Sequence, residues 1–471
     1  MDSRLRMIAP HPLGSTGLRK YSAGIFWCCA FAVALQLIFS SNVLDQMGLS
    51  KAGRIHPSTV ILVLCTAYAF ATGIVPFGRR LRESPALMLY IFGIPALMAY
   101  SVYFVGTNGA SVFIETFWSA GLLALLLEPA SARHKRILGY ILLVLVLLNV
   151  VVGVFESLTL KEVFPIVYDP TTTQFKEDAV TDEFRAHAFF SHPLTASLVT
   201  SMAVFLLYTM RPRFLVAAPV FTALIIGLLA YGGRAALGVV LAVSAGLACY
   251  VLLKGVLQRN LQPSFLLSLG AAVVAMPILA AVLISHTSIG ERIVENLYFD
   301  GSAQVRATQW AVFAHLNMQD WLFGLSKARL EVLKYQIELG GKDTDIENFW
   351  ILLFLDLGAI GFAAFLVVFL SFLYHLARFS GTLNGWLLVA SSLAIDSTSN
   401  SLGVWTNDLM LEVAFVMAIV GFRDYVPIRV VPQFVRRLPV RRGVSEAQPG
   451  LGLVAGPLRS PGLQGMVTPR R

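Results

Sequence analysis

Charge is scarce in this chain. Only 13% of its 471 residues are Asp, Glu, Lys or Arg, while 56% are hydrophobic and the mean hydropathy is +0.72. A soluble domain of this size needs a more polar surface, so that class is excluded. Cysteine is nearly missing as well. The four present, Cys28, Cys29, Cys65 and Cys249, all fall within apolar runs and offer neither a disulfide framework nor a metal-ligand spacing. There is no Asp-rich metal motif, no repeat at solenoid spacing and no visible inverted repeat. The net charge of +9 comes mostly from short connections and the C-terminal tail. It reflects membrane topology and anionic lipid, and gives no case for nucleic acid.

What the chain has in place of charge is length of apolar sequence. A run of roughly 20 apolar residues crosses about 30 Å of hydrocarbon. Twelve such runs lie near 22–44, 57–77, 85–104, 109–128, 137–157, 189–209, 214–232, 235–253, 264–285, 348–374, 385–402 and 407–423. Lipid cannot satisfy backbone polar groups, so each run is expected to be helical. The first run is too long for a signal-peptide core and lacks a small-residue cleavage site, so it reads as retained. The expected fold is therefore all-α, a polytopic integral membrane bundle of about twelve transmembrane helices over 22–424. A short N-terminus, 1–21, precedes it. The tail 425–471, rich in Arg, Pro and Gly, is expected to be disordered, with Arg436, Arg437, Arg441 and Arg442 against the inner leaflet.

Lysine and arginine set the orientation. Cationic groups occupy every other connection. They are Arg4, Arg6, Arg19 and Lys20; Arg79, Arg80 and Arg82; Arg133, Lys135 and Arg136; Arg211 and Arg213; Lys254 and Arg259; Arg378; and the tail from Arg423. Twelve spans place all of these, and both termini, in the cytoplasm. The long connections 158–188 and 286–347 then face outward, with six acids against three bases in the first and nine against six in the second. Two amphipathic stretches, one through Val305, Gln309, Val312, Phe313 and Leu316 and one through Leu330, Leu333, Tyr335, Ile337 and Leu339, predict short helices on the outer face of the membrane. They either cover the bundle ends or roof a site.

Three arginines share that outer side. Arg185 precedes the run at Phe189, Arg234 follows the run Phe214–Tyr231, and Arg306 lies in the longest polar stretch. A cation at a bilayer edge is commonly retained to hold an anion, although a snorkelling side chain is the simpler alternative for any one of them. A guanidinium fork suits phosphate, and two or three converging would hold a diphosphate without a metal. Glu115, Glu156, Asp356, Asp396, Asp408 and Glu412 also fall in the outer half, and almost nothing ionisable is expected in the inner half. That distribution favours a site open to the outside over a path through the membrane. His192-Pro193 opens a helix, so His192 is a cap or a catalytic group; His187 is a weaker candidate. Glu347-Asn348 opens another, so Glu347 is either a residue stabilised by the helix dipole or a general base.

At these residues the chain resembles the O-antigen ligase and Wzy-type polymerase superfamily of bacterial envelope polysaccharide synthesis, in its exopolysaccharide branch. The resemblance covers about 180–375. It rests on Arg185 leading to His192-Pro193, on Gly233-Arg234, on the R-x-x-x-W of Arg306 to Trp310, on Phe323-Gly324, and on Glu347-Asn348 leading into L-G-x-I-G at Leu357–Gly361. It implies metal- and cofactor-independent glycosyl transfer on the periplasmic face of the inner membrane. The donor would be an oligosaccharide on undecaprenyl diphosphate, and the partners would be inner-membrane lipid and other polysaccharide assembly proteins. Ligases of the family carry a histidine in the polar pair where this chain has Glu347, which favours a polymerase. On that reading Arg185, Arg234 and Arg306 clamp the diphosphate, and Glu347 or His192 serves the acceptor. The rivals are a ligase moving finished glycan to a lipid or protein acceptor, and a transporter or flippase for lipid-linked glycan.

Overall fold

The structure, a computed structural model, describes residues 22–40, 43–44, 55–106, 112–164, 184–257, 309–337, 346, 348–397 and 408–423. All of them belong to one compact unit, Met1–Tyr425. The N-terminus 1–21, the run 264–285, Arg306, Glu347, the tail 425–471 and most of both long connections lie outside the described residues.

In chain order the helices are α1 (Ala23–Ile38), α2 (Pro57–Ala71), α3 (Phe77–Glu83), α4 (Pro85–Phe104), a π-helical turn (Phe113–Trp118) leading into α5 (Ser119–Leu127), α6 (Ala132–Thr159), α7 (Pro193–Met210), α8 (Phe214–Tyr231) and α9 (Arg234–Leu257). A 3-10 turn (Gln309–His315) then precedes α10 (Met318–Phe323), α11 (Lys327–Gln336), α12 (Phe349–Ser380), α13 (Leu383–Asp396) and α14 (Asp408–Phe422). Among the described residues there is no strand. Each apolar run within the described residues holds a helix. Among the described residues six helices are long and apolar enough to cross a membrane, and the chain is a membrane protein. The helix starts follow local chemistry. Ser22, Ser131, Ser326 and Thr382 cap with their hydroxyls, and Pro57, Pro85 and Pro193 take first-turn positions whose N–H needs no partner.

At the centre stands α14, buried continuously from Asp408 to Ile419. A helix apolar on every side belongs in the middle of a bundle. It packs against α5, α6, α7, α12 and α13. Hydrogen bonds between remote stretches sort the helix ends into two groups. One end gathers Phe39, His56, Glu115, Asn149, Glu156 and His187. At the other, the buried Glu128 carboxylate meets Arg80 Nη1 at 2.9 Å and His375 Nε2 at 2.6 Å. There too, Lys135 Nζ donates to the Glu128 carbonyl at 2.9 Å and Arg136 Nη1 to the Gly421 carbonyl at 3.4 Å. The members of this network come from four separate stretches, and the buried Glu128 carboxylate is met by partners remote in sequence.

The run 348–374 is not one straight span. Gly358 has φ +63 and ψ 177, and α12 breaks there. In a straight helix the sixteen residues from Phe349 to Phe365 would separate them by about 24 Å. Their rings lie 6.4 Å apart, and Phe349 is 6.5 Å from Phe369. The segment 349–357 therefore folds back along 359–380. Its two faces serve two cores. Phe349, Leu353 and Leu357 join the main core, while Ile351 and Leu355 pack with Val312, Leu325, Leu330, Leu333, Ile337 and Ile346 from the surface elements. Apolarity on both faces is why this stretch reads as part of a span. The bend is locked by α10: Leu325 N–H donates to the Leu355 carbonyl at 2.7 Å, and Gly324, at φ +94, lies against the Asp356 backbone.

A Cβ on Gly358 would run into the Leu322 carbonyl and the Gly324 amide, in a left-handed conformation that other residues resist. Gly358→Ala is expected to lower stability by about 1–3 kcal/mol, read as a drop in thermal unfolding temperature in detergent. Gly73→Ala shares the positive φ but has open space around it, and should cost less.

Candidate functional site

The end of the bundle where α6 finishes and α7 begins collects most of the sequence's candidate residues. The organising group is the fully buried Glu156 carboxylate, two residues inside the last turn of α6. Its Oε2 accepts the His187 N–H at 3.0 Å and the Ala188 N–H at 2.8 Å, and its Oε1 accepts the Val163 N–H at 2.8 Å. Asn149, two turns earlier on α6, accepts the Phe189 N–H at 3.3 Å and donates to the Leu37 carbonyl at 3.1 Å. The loop 184–192 is thereby fastened to α6 along its backbone. Ala188 is held at φ +53, a left-handed conformation costing about 1–2 kcal/mol for a residue with a Cβ. The Ala188 amide on Glu156 Oε2 and the Phe189 amide on Asn149 Oδ1 flank this residue and hold it there.

This fastening places Arg185 and His192 together. Arg185 is partly exposed, and its charge acts directly on the His192 ring. His192 caps α7, its Nδ1 accepting the Leu194 N–H at 3.2 Å. Crowding by surrounding atoms, and then the Arg185 and His187 charges, hold its pKa below the ordinary histidine value, although the residue reaches solvent. The ring is therefore neutral, with its Nδ1 lone pair engaged, and its proton sits on Nε2. In this geometry His192 presents an Nε2–H donor.

The Gly233-Arg234 step joins the same corner. α8 ends at Tyr231, Gly232 turns the chain, and Arg234 opens α9 as an exposed residue. Gly233 lies so close to Ser197, in the opening turns of α7, that a Cβ there would collide with the Ser197 side chain. That contact packs the start of α9 against the opening turns of α7. Tyr231 is fully buried, packs on Gly153 and leaves its hydroxyl without a hydrogen-bond partner close to Glu156.

A second cluster forms around the start of α12. Asn348 caps it, its Oδ1 accepting the Trp350 and Ile351 N–H groups at 3.0 and 3.2 Å. The Asn348 N–H donates to the buried Gln309 Oε1 at 3.2 Å. Arg306 and Glu347 lie outside the described residues, but their near neighbours Gln309 and Asn348 are hydrogen-bonded to each other. The two clusters flank the ends of α13 and α14: Trp350 Nε1 donates to Ser397 Oγ at 2.8 Å, and Thr195 Oγ1 donates to Asp408 Oδ2 at 3.0 Å. Among the described residues no group of three His, Cys, Asp or Glu is arranged to hold a metal.

The sequence listed Glu156 only as one outer acid among several. Its role as the clasp of the arginine loop shows only once α6 and the loop are side by side, and the same holds for Asn149 and Tyr231. The available signal was an acid and an amide seven residues apart in an otherwise apolar helix. Arg185 and Arg234 both stand beside the opening turns of α7, and a guanidinium fork suits an anion. The chain matches no protein-family model, and no curated protein matches it.

Glu156→Ala would strip three amides of their acceptor, and a buried donor left unsatisfied costs about 1–3 kcal/mol. Hydrogen exchange over 184–190 should accelerate accordingly, with the exchange of α14 little changed. The loop should also respond to pH. Burial alone would lower the pKa of His187, but Glu162 at 3.7 Å and Glu156 outweigh it, and the net direction is up. The imidazolium thus steadies the loop fully below about 6.5, the ordinary histidine value, and that contribution is lost as pH rises through the higher folded value. Protection of 184–190, corrected for intrinsic exchange rates, should fall as pH rises above about 6.5. In His187→Gln the dependence should vanish.

Proposed function

We propose that the protein is a membrane-embedded glycosyltransferase that polymerises repeat units carried on undecaprenyl diphosphate, at the periplasmic face of a bacterial inner membrane. On this reading the bundle has twelve spans and both termini are cytoplasmic. The observation that carries the proposal is the loop that Glu156 holds, which sets Arg185 beside His192 at the start of α7, together with the packing of Gly233, next to Arg234, on Ser197 of the same helix. These residues come from two of the motifs on which the family resemblance rests. The Gln309–Asn348 hydrogen bond supports it further, because it ties together the neighbourhoods of Arg306 and Glu347.

The acceptor hydroxyl attacks the anomeric carbon, the bond from that carbon to the diphosphate oxygen breaks, and the electron pair leaves with the carrier diphosphate. Arg185, Arg234 and Arg306 neutralise the charge growing on that leaving group. Glu347 takes the hydroxyl proton. His192, with its proton on Nε2, donates a hydrogen bond to the diphosphate or the acceptor. Glu347 in the position where ligases of the family carry histidine favours polymerase over ligase.

Removal of one such contact typically lowers the rate on the order of 100- to 1000-fold. Arg185→Ala and Arg234→Ala should each abolish long polymer and leave single lipid-linked repeat units, at normal protein levels. Wild-type chain lengths in both variants would overturn the clamp. Accumulation of long lipid-linked chains would instead identify a ligase.

A further inference from the structure

The central helix carries two acids, Asp408 and Glu412, one turn apart and so on one face. They are 1% and 3% exposed. α13 packs against α14 and ends in Asp396, with Ser392 one turn earlier on the same face. These residues are 2% and 1% exposed. Their hydrogen bonding is unequal. Asp408 accepts from Thr195, and Asp396 has an interaction of its own. Glu412 Oε1 and Ser392 Oγ have no hydrogen-bond partner. Asp396 is near enough for its charge to act on Glu412, and Glu412 in turn acts on Tyr90. The Tyr90 hydroxyl is already committed, donating to the Phe117 carbonyl at 2.9 Å. The other buried acids at this end are occupied: Glu115 accepts the His56 N–H at 2.6 Å, and Glu156 holds the loop.

Two neighbouring carboxylates shielded from water do not both stay ionised. Asp408 is hydrogen-bonded through Oδ2 and Asp396 has an interaction of its own, whereas Glu412 has an orphan Oε1 and an acidic neighbour. An unpaired ionisable side chain inside a membrane bundle marks a functional position by default. We propose that Glu412 is a buried proton-binding site, which carries a proton at neutral pH beside Asp396. The site lies one turn from Asp408, and Asp408 is one hydrogen bond from the first turn of the helix that His192 caps. A proton is thereby stored at the edge of the arginine corner, whatever anion that corner binds. This inference does not depend on the glycosyltransferase reading.

Infrared spectroscopy of the purified full-length protein in lipid tests it. At neutral pH the wild type should show the carbonyl stretch of a protonated carboxylic acid, shifted by D2O and shifted again when glutamate is labelled with 13C. The band should be absent from Glu412→Gln, which is close to isosteric with the neutral acid and should unfold at the wild-type temperature. Asp396→Asn removes the like charge, so in that variant the band should disappear at a lower pH than in the wild type. No such band in the wild type, a band insensitive to glutamate labelling, or a band that survives in Glu412→Gln would overturn the proposal. An ionised Glu412 holding a metal cation would also give no band and would overturn it. The labelling measurement needs no variant, so a misfolded mutant would not rescue the idea.

Discussion

One carboxylate, that of Glu156, orders the polar end of this bundle. It sits near the end of a 28-residue apolar helix and gives its oxygens to three backbone amides of segments that have no regular structure of their own. A loop at a membrane edge must satisfy its amides without relying on lipid. Here the acceptor is a charge already fixed in a helix, and the bonds are correspondingly strong. The rest of the corner follows from this arrangement. Ala188 can stay in a left-handed conformation, Arg185 is presented beside the start of α7, and His192 is free to cap that helix.

The second constraint is the break at Gly358. Folding 349–357 back along 359–380 gives the bundle a short helix whose start, at Asn348, is bound to Gln309 and faces away from the bend. A discontinuous helix with irregular backbone is tolerated at membrane depth only where protein or a cavity satisfies it. The Leu325 to Leu355 bond and the Asn348 cap meet that requirement in this chain. The surface elements are therefore docked on the bundle by backbone contact, with a small apolar core of their own beneath them.

Much of the fold was legible because the hydrophobic runs are long and their punctuation is clear. His192-Pro193 marks a helix start that the structure keeps. The break in the run at 348–374 was not legible, because both faces of 349–357 are buried and a doubly buried half-helix has the composition of a span. The charged network around Glu128 was missed for a different reason. Arg80, Glu128 and His375 are ordinary in sequence and become a cluster only through contacts between residues 48 to 247 positions apart. At the candidate site, Arg185, His192 and Arg234 stood out as polar residues at the edges of apolar runs. Glu156, which holds their loop in place, looked like any other acid near a helix end, since nothing local to it predicts which amides it will meet.

The account turns on guanidinium groups from separate stretches sharing one anion. An experimental structure of the protein in lipid with inorganic diphosphate added tests this most directly. Diphosphate density bridged by Arg185 and Arg234, with Arg306 reaching it from the long loop, is the expected result. Diphosphate bound elsewhere, or Arg306 on the opposite side of the membrane from Arg185, would contradict it.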